Sequence, residues 1–205
     1  MYLKALRIEN FRGIRKTMIH LDDGTALIGE NDCGISSVLD ALELALGQEE
    51  EPDNYPAWLF HRVPGSVSPV GPIRLQLRFS EAKAGEWGSA DYAPFEAILP
   101  KPGDQSRQLW FEIVIRPGNG EQTSAELRLR SPGNKNHSSD PELIKLVRQL
   151  NPVIRVSAGM LTGHGRPVAK QLKSTGGESL FTPEIAGLVK RINRAVDSRL
   201  SGRSL

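Results

Sequence analysis

Residues 29–37 read Gly-Glu-Asn-Asp-Cys-Gly-Ile-Ser-Ser, and this loop decides how the rest of the chain is interpreted. It follows the apolar run 25–28, Thr-Ala-Leu-Ile, and precedes the run 38–46, whose apolar residues recur at helical spacing. A buried strand, a loop with two glycines and a helix form the setting in which the pattern G-x-x-x-x-G-K-[ST] cradles phosphate groups. The stretch therefore predicts a strand–loop–helix unit with the frame of a phosphate loop.

The loop keeps that frame but lacks its charged residue. Gly29 and Gly34 have the required spacing, and Ser36 stands where a hydroxyl would hold Mg²⁺. The position of the lysine is occupied by Ile35. Backbone N–H groups and the helix dipole can still bind an anion without a lysine. The missing charged hydrogen bond, roughly 1.5–3 kcal/mol, weakens nucleotide affinity by about tenfold to over a hundredfold, and it weakens hydrolysis further. The alternative is an ordinary strand–turn–helix in which the glycines serve only the turn.

Composition indicates a soluble α/β protein of one or two domains. No run approaches the eighteen or so apolar residues of a membrane span, and the N-terminus has no signal-peptide pattern. Cys33 is the only cysteine, which excludes intramolecular disulfides and cysteine-cluster zinc sites and favours a reducing cytoplasm. His164 has no partner at ligand-like spacing, so it is not expected to bind a metal.

The formal net charge of +2 conceals an asymmetry between the two ends of the chain. Residues 1–60 carry five Lys/Arg against eleven Asp/Glu, which gives −6, whereas residues 141–205 carry eleven against four, which gives +7. This split is typical of a basic surface for an acidic partner, or of contact between oppositely charged halves. The charges alone leave both open.

Alternating apolar residues predict most of the strands. Residues 2–9 and 14–21 form a hairpin around Asn-Phe-Arg-Gly at 10–13, and residues 73–79 form a further strand. Residues 108–116 and 124–130 form an antiparallel hairpin. Less regular strands are expected at 95–99 and, buried, at 152–156. Arginines recur on one face of these strands, at Arg74, Arg78, Arg128 and Arg130. They are interpreted either as solvated charges on an outer face or as contacts to a DNA backbone.

Three helices are expected. The first spans 34–47, with Val38, Leu42 and Ala45 on one face and Leu39 and Leu46 beside them. The second runs to Leu150 from the N-cap Asp140, with a proline at its first turn. The third, about 183–200, is strongly amphipathic, and its polar side carries the basic residues proposed to meet nucleic acid, Lys190, Arg191 and Arg194.

A long, Pro- and Gly-rich surface loop is predicted between the first helix and the strand at 73–79, over about 48–71. Trp58, Phe60 and His61 lie within it. They are interpreted as buried anchors for the loop, with a base-stacking or partner-binding tip as the alternative.

The order of these motifs resembles the head domains of the RecF/SMC/Rad50 branch of ABC-type ATPases. Within that branch the chain is most similar to the N-terminal lobe of the OLD (overcoming lysogenization defect) family of ATP-dependent nucleases. The resemblance rests on Asn-Phe-Arg-Gly (10–13), Leu-Ile-Gly-Glu-Asn-Asp-Cys-Gly (27–34) with Ser36 and Ser37, and Leu-Asp-Ala-Leu (39–42). It is dense over residues 1–47 and weaker over 141–158.

The resemblance implies a fold, cofactors and partners. The fold would be an α/β head lobe over 1–158, with a mixed sheet, an N-terminal hairpin, a P-loop strand and helix and antiparallel strands over 73–130, followed by a basic helical segment at 159–205. ATP and Mg²⁺ are the implied cofactors, with Ser36 on the metal. DNA and a second copy of the chain are the implied partners. The residues implied at the nucleotide are Arg12, Gly29, Asn31, Gly34, Ile35, Ser36 and Ser37.

The chain also departs from the family pattern. Besides Ile35, no later hydrophobic strand ends in the Walker B carboxylates, and the Toprim nuclease domain is missing. Residues 174–178, Ser-Thr-Gly-Gly-Glu, are better interpreted as a loop than as an ABC signature. Two hypotheses follow. The chain is the nucleotide-binding lobe of an OLD-like ATPase whose remaining part lies elsewhere, or it is a non-catalytic DNA- or protein-binding subunit with a vestigial loop.

Overall fold

The computed structural model describes residues 1–22, 25–28, 33–47, 54–99, 107–118, 122–132 and 136–153. Residues Met1–Val153 form one compact unit built on a six-stranded sheet in the order β2-β1-β3-β4-β5-β6. The strands are β1 (Tyr2–Phe11), β2 (Ile14–His20), β3 (Ile73–Ser80), β4 (Leu109–Arg116), β5 (Ser124–Arg130) and β6 (His137–Ser138). Every pairing among these strands is antiparallel. The predicted hairpins β1–β2 and β4–β5 are confirmed.

Period-two alternation makes one face of the sheet apolar. Along β3, Ile73, Leu75, Leu77 and Phe79 are buried while the residues between them are not. They pack with Phe111 and Ile113 of β4 and with Leu6 and Ile8 of β1. Fully burying such side chains contributes about 1.5–3 kcal/mol each. This row of side chains is the centre of the core.

Two helices cover the apolar face. The first, α1 (Ile35–Leu46), buries Val38, Ala41 and Ala45. The second, α2 (Pro141–Leu150), buries Ile144 and Val147. The predicted N-cap of α2 is confirmed, since the Asp140 carboxylate accepts a hydrogen bond from the Glu142 amide at 2.9 Å. The helices are tied together by Arg148, whose Nε donates to the Ala45 carbonyl at 3.0 Å.

The predicted strand at 25–28 is wrong. These four residues belong to no strand and are exposed, Ile28 by 87%. A strand needs a neighbour with which to exchange hydrogen bonds, and no described strand lies beside them. The prediction that Leu39 lies beside the buried face of α1 is also wrong, because this side chain is 45% exposed.

The predicted strand at 95–99 is helical instead. Residues Ala90–Phe95 form a 3₁₀ helix, and the Ile98 and Leu99 amides both donate to the Phe95 carbonyl at 2.9 Å. Phe95, Ile98 and Leu99 are buried. Their spacing of three and four residues places them on one side of a helical turn, whereas alternation would be required in a strand.

The insertion after α1 divides into a buried and an exposed part. Residues Ala57–Leu59 form a 3₁₀ turn, after which Phe60 makes an isolated bridge to Phe11 and is buried. Phe60 is therefore an anchor, as predicted. Trp58 is not, since it is 63% exposed. In the part of the chain that the structure describes, no helix is long and apolar enough to cross a membrane.

Candidate nucleotide-binding site

The N-terminus of α1 is partly exposed, with Ser36 exposed in its first turn. Gly34 precedes the helix in the left-handed region, with φ 96° and ψ 3°, which glycine adopts without the steric cost of a Cβ. Among the described residues, no side chain caps this helix end, and its first turn contains no acidic residue. Within that described part of the chain, no carboxylate or hydroxyl competes for the first-turn N–H groups, and the helix dipole adds partial positive charge. This is the local geometry that favours a phosphate group.

The predicted loop residues fall on different sides of this helix end. Ser36 is exposed, Ile35 is partly exposed, and Ser37 is buried at 9% exposure. The Ser36 hydroxyl is therefore the one of the two that an incoming ion can reach. Gly29 and Asn31 lie outside the described residues, as do Lys190, Arg191 and Arg194.

Arg12 is brought to the same helix from the β1–β2 turn. Its guanidinium forms an ion pair with Asp40 of α1 and lies 5.2 Å from the centre of the Trp58 ring. Asp40 follows the first residue of α1 by five positions, which is roughly 7.5 Å along the helix axis. The structure thus places the cation of the Asn-Phe-Arg-Gly motif beside the first two turns of α1, although the two elements are separated in sequence.

The backbone of the turn is held from the neighbouring insertion. Arg12 has a positive φ of 50°, which is uncommon for a non-glycine residue. Its amide donates to the Leu59 carbonyl at 2.7 Å. Its carbonyl oxygen lies 2.7 Å from Nδ1 of His61 and, as an acceptor, requires the proton on that nitrogen. These bonds hold the conformation against its intrinsic cost.

Asn10 stabilises the other side of this turn. It also has a positive φ, 55°, which Asn tolerates better than most residues. Its side chain donates to the Pro72 carbonyl at 3.1 Å, and its own carbonyl accepts from the His61 amide at 2.9 Å. The turn carrying Arg12 is therefore fixed before any ligand arrives.

Sequence reasoning did not identify Asp40 and Trp58 as the partners of Arg12. A signal for Asp40 was present, because it is the acidic residue of Leu-Asp-Ala-Leu on a helix that follows the loop. Trp58 carried no such signal, since an aromatic residue in a loop is more often buried.

The described residues provide few ligands for a divalent metal ion. They contain no group of three His, Cys, Asp or Glu side chains close enough to share an ion. Mg²⁺ commonly keeps several waters and takes one or two protein ligands plus phosphate oxygens. The exposed Ser36 hydroxyl fits an ion delivered with the phosphates of a nucleotide.

Comparison with known proteins gives a family over most of the chain. A profile of the family described as "Protein of unknown function (DUF2813)" matches residues 1–198. "Uncharacterized protein YbjD" of Escherichia coli (strain K12) is 31% identical over 163 residues, covering 76% of this chain and 29% of that protein. "Chromosome partition protein Smc" of Halobacteriovorax marinus is 43% identical over 51 residues, covering 24% of this chain and 4% of that protein. The chain thus spans less than a third of the length of either relative.

A solved structure has a similar fold. It comes from work on "ATP-driven dimerization and DNA stimulated activation of SMC ATPases" and superposes with a TM-score of 0.52 at 18% identity, covering 84% of this chain and 96% of that chain. The predicted α/β, SMC-like class of fold is confirmed. The narrower resemblance to the OLD family stays a prediction.

Proposed function

The chain belongs to the DUF2813 family, and from that premise we propose that it forms the ATP-binding lobe of an ABC-like ATPase. One observation carries the proposal: the uncapped N-terminus of α1, entered through left-handed Gly34, lies on the helix that also holds Arg12. A helix end that suits an anion thus occurs together with a cation that is held by a carboxylate of the same helix. The fold shared with SMC ATPases supports the choice of a nucleotide as the anion.

In the proposed binding mode, backbone amides of the loop hold the phosphates. Gly29, Asn31 and Gly34 would line the loop, and the amides of Ser36 and Ser37 would donate from the first helical turn. The Ser36 hydroxyl would orient a Mg²⁺ ion, which supplies charge neutralisation when it is bound with ATP. Arg12 would lie beside the nucleotide.

Ile35 limits what this site can do. In a phosphate loop the lysine at this position reaches the outer phosphate oxygens. Without it, negative charge that develops on those oxygens during hydrolysis has one fewer cation to stabilise it. The proposed activity of the chain is therefore nucleotide binding with weak or absent turnover.

We propose further that the lobe is part of an OLD-like, ATP-dependent DNA nuclease that acts in DNA repair or defence against phage. The dense family pattern over residues 1–47 supports this assignment. In such an assembly two lobes would pair as a homodimer, and an ATPase or Toprim part outside this chain would supply the remaining chemistry. The second candidate is a non-catalytic DNA- or protein-binding subunit, which is favoured by Ile35.

The decisive experiment is a titration with a fluorescent ATP analogue and Mg²⁺, comparing the wild type with Gly34→Ala. An L-residue in the left-handed region costs about 1–2 kcal/mol, so a site that needs this conformation should lose roughly fivefold or more in affinity. The matched control is Gly65→Ala, because Gly65 has a similar φ of 83° in an exposed turn and nothing within 4 Å of an added Cβ.

The two variants separate a local effect from a general one. Both should lose similar thermal stability, and only Gly34→Ala should lose nucleotide affinity. Equal affinities for the two variants, or no binding by the wild type at millimolar analogue, would refute the nucleotide site.

A further inference from the structure

The sheet face opposite α1 and α2 is strongly basic. Strand register aligns the side chains of this face in rows across the sheet. Five arginines surround one tryptophan there, and together they define the basic sheet face: Arg7, Arg74, Arg78, Trp110, Arg128 and Arg130. Lys16 and Arg116 lie at its margins. This side of the sheet therefore carries seven cations and three carboxylates, a formal excess of +4; the carboxylates are those of Glu9, Glu112 and Glu126.

Trp110 is the rigid centre of this face. The guanidinium groups of Arg78 and Arg130 lie 4.7 and 4.4 Å from the centre of its ring. Arg130 is fixed further by donating to Glu112 from Nε at 2.9 Å and from Nη2 at 2.8 Å. With its neighbouring guanidinium groups engaged on the ring, Trp110 is poorly suited to stack on a nucleotide base. Its role is to hold two cations in place.

The positive charges are only partly neutralised within the described residues. Neither Arg74 nor Arg78 forms an ion pair with a described carboxylate, and Arg78 donates instead to the Gln76 side chain at 2.7 Å. Burial lowers the pKa of Arg78 from its ordinary value, the nearby charges of Arg7 and Arg130 lower it further, and the charge of Glu112 offsets part of this change. The guanidinium groups of Arg7 and Arg130 thus repel that of Arg78. An added polyanion would relieve that repulsion.

We propose that the basic sheet face docks on the phosphate backbone of duplex DNA. From β2 to β5 the face is about 19 Å wide, a length over which duplex DNA carries roughly eleven phosphate charges. The arginines of this face suit contacts to phosphate groups, and the Trp110 ring is not available to stack on a base. Phosphate contacts position a protein on DNA but do not distinguish one base sequence from another. Binding should therefore be independent of DNA sequence.

An occupant of this face needs a net negative charge. Residues 154–205 contain nine Lys/Arg and three Asp/Glu, an excess of +6, so they supply no net negative charge. The acidic run at 49–51 carries only three of the charges that such a face could bind. Duplex DNA offers a continuous row of charges. The inference rests on the DNA-directed function proposed above and names a surface for it, which is separate from the nucleotide site. Because the assay contains no nucleotide, a failure would count against this face and not against the nucleotide site.

The test is fluorescence anisotropy of an end-labelled, mixed-sequence 30-base-pair duplex, measured without nucleotide over a series of salt concentrations. The variant is Arg74→Gln with Arg78→Gln, which removes two cations but leaves the Arg130–Glu112 pair intact. For B-DNA the slope of log K against log salt changes by about 0.9 for each lost phosphate contact, so the double variant should flatten it by about 1.8. The control is Lys83→Gln with Lys145→Gln, since both lysines are exposed and lie outside the sheet.

The outcomes are distinct. The proposal requires weaker, less salt-dependent binding by the arginine variant, unchanged binding by the lysine control and equal competition from a duplex of another sequence. Binding by the arginine variant equal to that of the wild type would refute it, and so would the absence of wild-type binding at low salt. If the double variant melts early, Arg74→Gln alone provides the test, because Arg74 is exposed and should give about half the change in slope.

Discussion

Replacing Ile35 by lysine should turn the loop into a stronger nucleotide site. Ile35 is the first residue of α1, directly after left-handed Gly34. The amides and the Ser36 hydroxyl are already present at this helix end, so an ammonium group is the one component being added. It should meet the outer phosphates of ATP without further changes to the loop.

The expected changes in stability and in affinity have opposite signs. Ile35 is partly exposed, so its loss removes roughly 1 kcal/mol of apolar burial. A cation in the first helical turn costs a further 0.3–1 kcal/mol or so against the helix dipole. The free protein should therefore melt a few degrees lower. With ATP bound, the charged hydrogen bond contributes about 1.5–3 kcal/mol, which is roughly a tenfold to hundredfold gain in affinity.

The assay is a titration of both proteins with a fluorescent ATP analogue, beside thermal melts without nucleotide. Ile35→Met is the matched control, since it changes the side-chain shape without adding charge and should leave affinity near the wild-type value. Lower stability together with at least about tenfold tighter binding is the expected result for Ile35→Lys. Equal affinities of the wild type and Ile35→Lys would mean that the helix end is not poised for phosphate, and the reasoning would fail.

Three further predictions concern turnover, acid stability and the C-terminal third. The chain should release no appreciable phosphate from ATP, because phosphoryl transfer needs a cation at the outer phosphates, an acid on the metal and a positioned water; turnover that disappears in Ser36→Ala would contradict this. Burial raises the pKa of Glu112, but hydrogen bonds from Arg130 and Gln76 outweigh it and hold the pKa below its ordinary value. Folding thus favours the ionised form, so its contribution to stability is present above the ordinary pKa of a glutamate and is lost as the pH falls through the lower folded pKa. Melting temperatures should drop in this range, and Glu112→Gln should lower stability at pH 7 while flattening the decline; an unchanged acid profile would exclude this role. Finally, if the basic C-terminal helix binds nucleic acid, Lys190→Glu with Arg194→Glu should weaken DNA binding in gel shifts at low salt, whereas lower thermal stability with unchanged DNA retention would indicate docking against an acidic part of the protein.

Local patterns in the sequence were sufficient for the regular elements and for part of the candidate site. Alternation predicted the strands from β1 to β5, because a sheet covered on one face imposes a period of two. Aspartate followed by proline predicted the start of α2, since both residues act within one helical turn. Glycine before a helix likewise predicted the entry to α1 at Gly34. Each of these signals depends on residues only a few positions apart.

Contacts between distant segments decided the rest, and they leave no local pattern. Residues 25–28 are apolar enough for a strand, but strand formation requires a neighbour that the sequence does not specify. The Arg12–Asp40 pair joins a hairpin turn to a helix, and Trp58 reaches the same arginine from the insertion. The basic sheet face arises because antiparallel register aligns arginines from β1, β3 and β5. Sequence determined which residues could pair, and the tertiary fold determined which ones do, because register and helix packing bring together charges that lie far apart along the chain.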